Sequence, residues 1–416
     1  MTDRSTVSHL LRRLTFGPTA AEVEAALRAG VPATLDKVLA PVGHPASLPE
    51  VGAFRPGREG RADARRDATE ATGWWITRMV TEPGAAEKLT FFWHGHWATS
   101  VRKVRSAELM LGQQATLRRY GAGGTGALVR AMLRDPALII WLDAQRNTRK
   151  APNENLAREL MELFTLGVGA GYTEADVKAG ARVLTGWRAD RTGGTATFSA
   201  RRHDPAPVTL LGRTGTFDAD AYADLLVSHP AHRPFLAGRL WARYGADTPP
   251  DAATTARLVA QGGSTVAMLR ALVGDPAFAG CRGRLVKQPV EWMVGAARQL
   301  GIDPERGRSR ILAGLRALGQ VPFRPPSVGG WPAGTAWLTT SSAQARLASG
   351  RALAALAPEA VGTLGDTARA DRPDALARIL VVDEWTARTR AVLAGAAGDP
   401  RLLLTLGLAS PEYAVH

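Results

Sequence analysis

Cysteine is nearly absent from this chain: one residue, Cys281, stands in 416. That excludes a disulfide framework and any cysteine-based zinc knuckle. Lysine is scarce as well. It occurs only at 37, 88, 103, 150, 178 and 287, so arginine, spread along the whole length, supplies nearly all of the 52 basic residues. The formal charge of +14 comes without a basic run; the local maxima are pairs such as Arg12-Arg13, Arg65-Arg66, Arg118-Arg119 and Arg201-Arg202. A polyanion site ordinarily clusters its cations on one face or in a run, so this distribution reads as solvated helix faces and argues against a nucleic-acid partner. No apolar window approaches the length of a membrane span, and the first thirteen residues hold no apolar core or small-residue cleavage site, which gives a cytoplasmic expectation. Nucleotide and serine-hydrolase signatures are missing too. Gly121-Ala122-Gly123-Gly124 and Gly212-Arg213-Thr214-Gly215 fit no phosphate loop or dinucleotide fingerprint, and there is no nucleophile elbow and no His-Glu-X-X-His.

What the chain does have is alanine, leucine and glycine in abundance, with few β-branched residues and a hydrophobic fraction of 45%. The reading is mainly α: a multi-helix body of two or three parts. Ser5 is placed to cap a first helix, Thr19 a second over residues 20–29, and Thr173 a third with acids in its first turn. The leucines of 154–166 mark a core helix. Residues 189–217 carry the one convincing β pattern, a hairpin inserted on the helical body. The organisation expected is an N-terminal helical part over 1–188, the β insertion over 189–217, and a C-terminal helical part over 218–416. The last part holds a Pro-, Gly- and Trp-rich loop at 320–341, long enough to expect a function for it.

Two segments carry the chemistry. Phe91-Phe92-Trp93-His94-Gly95-His96-Trp97 sets two imidazoles in an aromatic run, and 153–162 sets Asn153, Asn155, Arg158, Glu159 and Glu162 among core leucines. Burying so many polar groups is costly unless they satisfy one another or hold an ion. On a regular helix His94 and His96 diverge by about 200° and share nothing; a break at Gly95 would bring them onto one face. Glu159 and Glu162 share a face at i, i+3, and Arg158 reaches Glu162 at i, i+4. Glu87 lies two turns before His94. His203 with Asp204 sits where the β insertion could lower a third imidazole, Asp204 fixing its tautomer. Trp93, Tyr172, Trp187, Trp331 and Trp337 are the aromatic walls of the expected pocket.

These motifs, with His9-Leu10-Leu11-Arg12-Arg13-Leu14-Thr15-Phe16-Gly17-Pro18-Thr19, Gly171-Tyr172-Thr173-Glu174-Ala175-Asp176-Val177, Leu184-Thr185-Gly186-Trp187, His203-Asp204 and 322–337, resemble the bacterial family called domain of unknown function 1800, in consistent order from about residue 7 to 350. The resemblance implies no activity. It does imply frequent export and a sulfatase-like partner protein, and the missing leader departs from that pattern.

The leading functional expectation is a metal-dependent enzyme acting on a small-molecule, peptide, polymer or natural-product substrate. A divalent ion would be held by His94, His96, Glu159 or Glu162, and His203, with Arg158, Asn153, Asn155 and Asp204 orienting carboxylates or substrate. Two histidines and a carboxylate with open positions suit oxygen-activating iron, or copper, ahead of zinc or manganese. A zinc or manganese hydrolase is the second expectation. The third, from a different class, is a non-catalytic assembly or polyanion-binding protein with an arginine-rich face and salt-sensitive binding.

Overall fold

This computed structural model describes residues 3–53, 55 and 57–416, with the backbone course alone for 57–59. The chain is mainly helical, and among the described residues the strands form only two small antiparallel pairs. The first helix, Arg4–Leu14, buries Val7, Leu10, Leu11 and Leu14, a stripe at i, i+3, i+4 and i+7. Its cap is Asp3, whose carboxylate accepts the Thr6 N–H at 2.6 Å; Ser5, expected in that role, lies inside the helix. Thr19 caps the second helix in a capping box with Glu22, as its sequence predicts, and Thr173 does the same with Asp176. The second helix runs on to Leu39, bent where Gly30 takes φ +80°.

Helix Gly57–Thr81 turns Ala68, Ala71, Trp75, Ile76 and Met79 inward. Helix Ala86–His96 is buried on nearly all sides and stands between two hydrophobic clusters. Leu89, Phe92 and Trp93 belong to the first cluster and Phe91 to the second. The first also takes Val7 near the start of the chain and Val381 near its end, while the second runs from Phe16 to Tyr413. Both halves of the chain therefore contribute to both interiors.

The β insertion is two hairpins rather than one. β1 (Trp187–Asp190) pairs with β2 (Thr195–Phe198) in a register that sets Trp187 opposite Phe198. β3 (Val208–Leu210) pairs with β4 (Arg213–Gly215) through Leu211 and Gly212, both at positive φ, the backbone that a two-residue I′ turn requires. No described helix is long and apolar enough to cross a membrane.

A buried ionic knot ties the N-terminal region to the C-terminal helices. Glu291, on helix Pro289–Gln299, receives Lys88 Nζ at 2.7 Å on one oxygen and Arg243 Nη1 at 3.0 Å on the other. Burial alone would push that carboxyl up; Arg243 and Lys88 hold it at about 2 instead.

Candidate functional site

The helix Ala86–His96 continues through Gly95 without the break that would place both imidazoles on one face. His94 and His96 consequently point into different interiors. His94 lies among Trp75, Phe91, Phe323 and Trp331, and its Nε2 accepts the N–H of Phe323 at 3.0 Å. Burial pushes its pKa down to about 3, so the ring stays neutral and keeps that acceptor. Phe323 is itself at φ +64°, and its carbonyl accepts the N–H of Val101 at 3.0 Å. One imidazole thus anchors the long loop to the central helix, and through Phe323 to the next helical turn, Val101–Val104.

Gly95 serves a different purpose from the one its sequence position implies. A Cβ on Gly330, at φ +81°, would stand 2.3 Å from the Gly95 carbonyl oxygen, and a Cβ on Gly95 would touch the Trp331 ring. Two glycines let loop and helix meet backbone to backbone. Trp331 stacks on Phe91 at 5.3 Å, and Trp337, also buried, gives its carbonyl to Ser342 and Arg346. Glu87 is buried two turns back along the same helix, where it accepts from Trp75 Nε1 and Arg78 Nε, each at 2.9 Å, and pairs with Arg118.

His96 faces the first cluster, among Phe92, Trp93, Phe164 and Phe235. Its Nε2 donates to the Phe164 carbonyl at 2.9 Å. His232, absent from the sequence expectations, lines the same small void; its Nδ1 donates to the Thr165 carbonyl at 2.9 Å, and Thr125 bonds its Nε2 at 2.8 Å. Burial lowers the pKa of both rings, that of His96 to about 3. Trp93 gives its indole N–H to the Gly121 carbonyl and is packed rather than lining an open site.

The 153–162 segment forms its own polar cluster. Asn155–Glu159 is α-helical and Leu160–Thr165 winds as a π-helix. Asn153 accepts the Asn155 N–H and gives its own N–H to the Asn147 side chain, a turn that starts the helix. Arg158 bridges Glu154 and Glu174, a pairing the i, i+4 argument toward Glu162 does not foresee. Glu159 is half-buried, its pKa raised by burial and by Glu162; Tyr172 is raised likewise by burial and Glu162. In the insertion, His203 Nδ1 meets the Thr185 carbonyl at 3.1 Å, and Asp204 accepts Arg182 Nε at 2.6 Å rather than holding the histidine. Trp187 lies against Phe198 with the Arg134 guanidinium over its ring.

His94, His96 and His203 each meet a separate backbone partner, while Glu159 and Glu162 stand near one another. Among the described residues no group of three or more His, Cys, Asp or Glu side chains is arranged to hold a metal ion.

The arrangement that does converge is one of arginines. A cavity of about 640 Å³ opens beside the Phe323 loop. Helix Gly57–Thr81 lines it with Gly60, Ala64 and Ala68, one turn apart, and with Arg61, Arg65 and Thr69, the neighbouring row. Arg55 enters from the preceding loop. Arg102 comes from the Val101–Val104 turn, and Arg105 from its left-handed end at φ +58°. Arg191, just after β1, and Arg324, next to the residue held by His94, complete the wall. Seven arginines line this space, and among the described residues no carboxylate does. Burial and neighbouring cations hold Arg324 (facing Arg102 and Arg316) and Arg191 (facing Arg105) below the ordinary arginine range. The four-residue spacing of Gly60, Ala64, Ala68 beside Arg61, Arg65 is visible in the sequence; its convergence with residues 102, 105, 191 and 324 is not.

Residues 9–415 match a family model described as "Protein of unknown function (DUF1800)". No curated protein and no solved structure matches the chain.

Proposed function

We propose an anion-binding function for this chain, which belongs to the DUF1800 family. The observation that carries it is a recess lined by seven arginines, with no carboxylate among its described lining residues. Like charges gathered this way repel one another, and solvent, neighbouring groups or a bound anion must offset the repulsion. Guanidinium forks match the oxygens of phosphate, sulfate and carboxylate groups, and such bonds are the strong ones. His94 acts as a post beneath the site: by accepting the Phe323 N–H it fixes the backbone next to Arg324, and the Phe323 carbonyl fixes the start of the turn that carries Arg102. Titration calorimetry with tripolyphosphate tests the reading. Binding should weaken steeply as sodium chloride is raised, and Arg65→Ala with Arg102→Ala should abolish most of it; unchanged affinity in that double variant would remove the pocket from consideration.

A second reading, a metal-dependent enzyme, has one observation in its favour. Glu159 and Glu162 sit beside Tyr172 where the helix changes to π winding, and π turns recur at functional sites. Elemental analysis decides it: a stoichiometric divalent ion, lost when Glu159→Gln and Glu162→Gln are combined, would support it, and an ion-free purified protein that takes none up would refute it.

A further inference from the structure

We propose that a cavity in the bend of the second helix takes a long-chain carboxylic acid, its alkyl chain inside and its carboxylate on Lys37. The bend is written in the sequence. Gly30, at φ +80°, stops the first half of helix Ala20–Leu39, and Pro32 opens the second half, where a missing N–H costs little. Across the bend Thr34 Oγ1 donates to the Ala26 carbonyl at 3.3 Å. Near the end of the second half the Val38 carbonyl accepts the Ala85 N–H at 2.9 Å. Gly84 permits that approach, since a Cβ there would stand 2.9 Å from both the Val38 oxygen and the Pro41 ring. These ties hold open a cavity of about 650 Å³, within the 300–1,000 Å³ common for small-molecule pockets. It shares no lining residue with the arginine recess, so it stands apart from the anion-binding reading.

The lining sets the chemistry of the occupant. Both halves of the helix face the cavity, the first through Ala21, Ala25 and Ala29 and the second through Ala33 and Lys37, each set at a four-residue spacing. With Leu11, Pro18, Val38 and Pro83 they make a mainly apolar space, in which burying hydrocarbon is favourable. The polar lining groups are engaged, with one exception. Thr15 donates to the Leu11 carbonyl and Thr34 to that of Ala26. Glu22 accepts the Thr19 N–H and pairs with Arg298, and Glu82 pairs with Arg78. Lys37 is exposed at the rim, and no described residue holds its ammonium. An apolar interior with one free cation at its edge complements a hydrocarbon chain that ends in a single negative charge.

The test is calorimetric titration of the full chain with octanoate, decanoate, dodecanoate, 1-dodecanol and dodecyltrimethylammonium, each below its micelle concentration. Affinity among the carboxylates should rise by about fourfold for each added methylene. Dodecanoate should bind about fivefold more tightly than 1-dodecanol, and Lys37→Gln should erase that difference. Ala29 is exposed, so Ala29→Trp should fold normally, fill the cavity with its indole and abolish binding, whereas Ala29→Ser should keep it. Dodecyltrimethylammonium binding as tightly as dodecanoate overturns the acid assignment, as does a Lys37→Gln chain that still prefers dodecanoate to 1-dodecanol. Binding that survives Ala29→Trp, or that tripolyphosphate displaces, lies elsewhere on the protein and overturns the cavity. Failure of every probe to bind ends the proposal, and sedimentation that shows a dimer dissolved by Ala29→Trp would then give the cavity to a second copy of the chain.

Discussion

Acidification from pH 6.5 to 5 should destabilise this protein sharply, and the size of the effect follows from where its histidines lie. His9, His94 and His96 are each held near pKa 3 by burial, against 6.5 ordinarily; Arg13 adds to the effect at His9 and Arg239 at His96. Below pH 6.5 the unfolded chain therefore binds three protons that the folded chain refuses until about pH 3. Asp135 works in the opposite sense. Burial raises it from 3.8 to about 7, against the opposing bonds from Leu138 and Gln113, so in this window the folded state holds a proton that the unfolded state does not. The net excess in the unfolded state is two protons. Stability present above pH 6.5 is lost on the way down at a slope that approaches about 2.7 kcal/mol per pH unit, or about 3 kcal/mol in all by pH 5. A typical domain has 5–15 kcal/mol in all. His232 and His416, also pushed down by burial, steepen the fall. Urea unfolding followed by tryptophan fluorescence at a series of pH values measures the slope directly. His94→Gln, which keeps an acceptor for the Phe323 N–H but no longer titrates, should reduce the slope by about 1.4 kcal/mol per pH unit. A stability that stays level or rises between pH 6.5 and 5 would refute the reasoning.

Three further substitutions test the architecture. Gly330→Ala should destabilise by about 3 kcal/mol or more, because the methyl would meet the Gly95 carbonyl and the backbone is left-handed, whereas Gly329→Ala, with only the Ser327 hydroxyl at 3.6 Å, should leave the melting temperature nearly unchanged. Glu291→Ala should cost about 3–5 kcal/mol in chemical denaturation by leaving Lys88 and Arg243 buried without their counter-charge. Arg158→Ala should cost under about 1 kcal/mol, since the partner side chains Glu154 and Glu174 are 35% and 67% exposed and water replaces the bond.

The helices with plain apolar stripes and caps were legible before any coordinates, as Val7, Leu10, Leu11 and Leu14 or the Thr19–Glu22 box show. So were the helical class and the β insertion, because spacing at 3.6 and 2 residues is a local signal. What failed was local evidence used for a non-local question. Gly95 can end a helix or admit a close neighbour, and only the position of Gly330, more than two hundred residues away, decides between them. The polar residues at 94, 96, 159 and 162 are buried or half-buried as expected, yet His94 and His96 are each satisfied by a backbone partner, and Arg158 by Glu174 from the next helix. The arginine recess has no local signal in the sequence, since no run of basic residues announces it. Its members lie between positions 55 and 324, and tertiary folding alone brings them to one place.

The interleaving of the two interiors bears on how this protein can be dissected. Val7 and Val381 share one cluster, and Phe16 and Tyr413 the other, so a cut at almost any bond strips a wall from each. Excised pieces, including one that spans only the motif-bearing first half, would expose apolar surface and aggregate rather than report on function. Roles must be assigned by single replacements in the intact polypeptide.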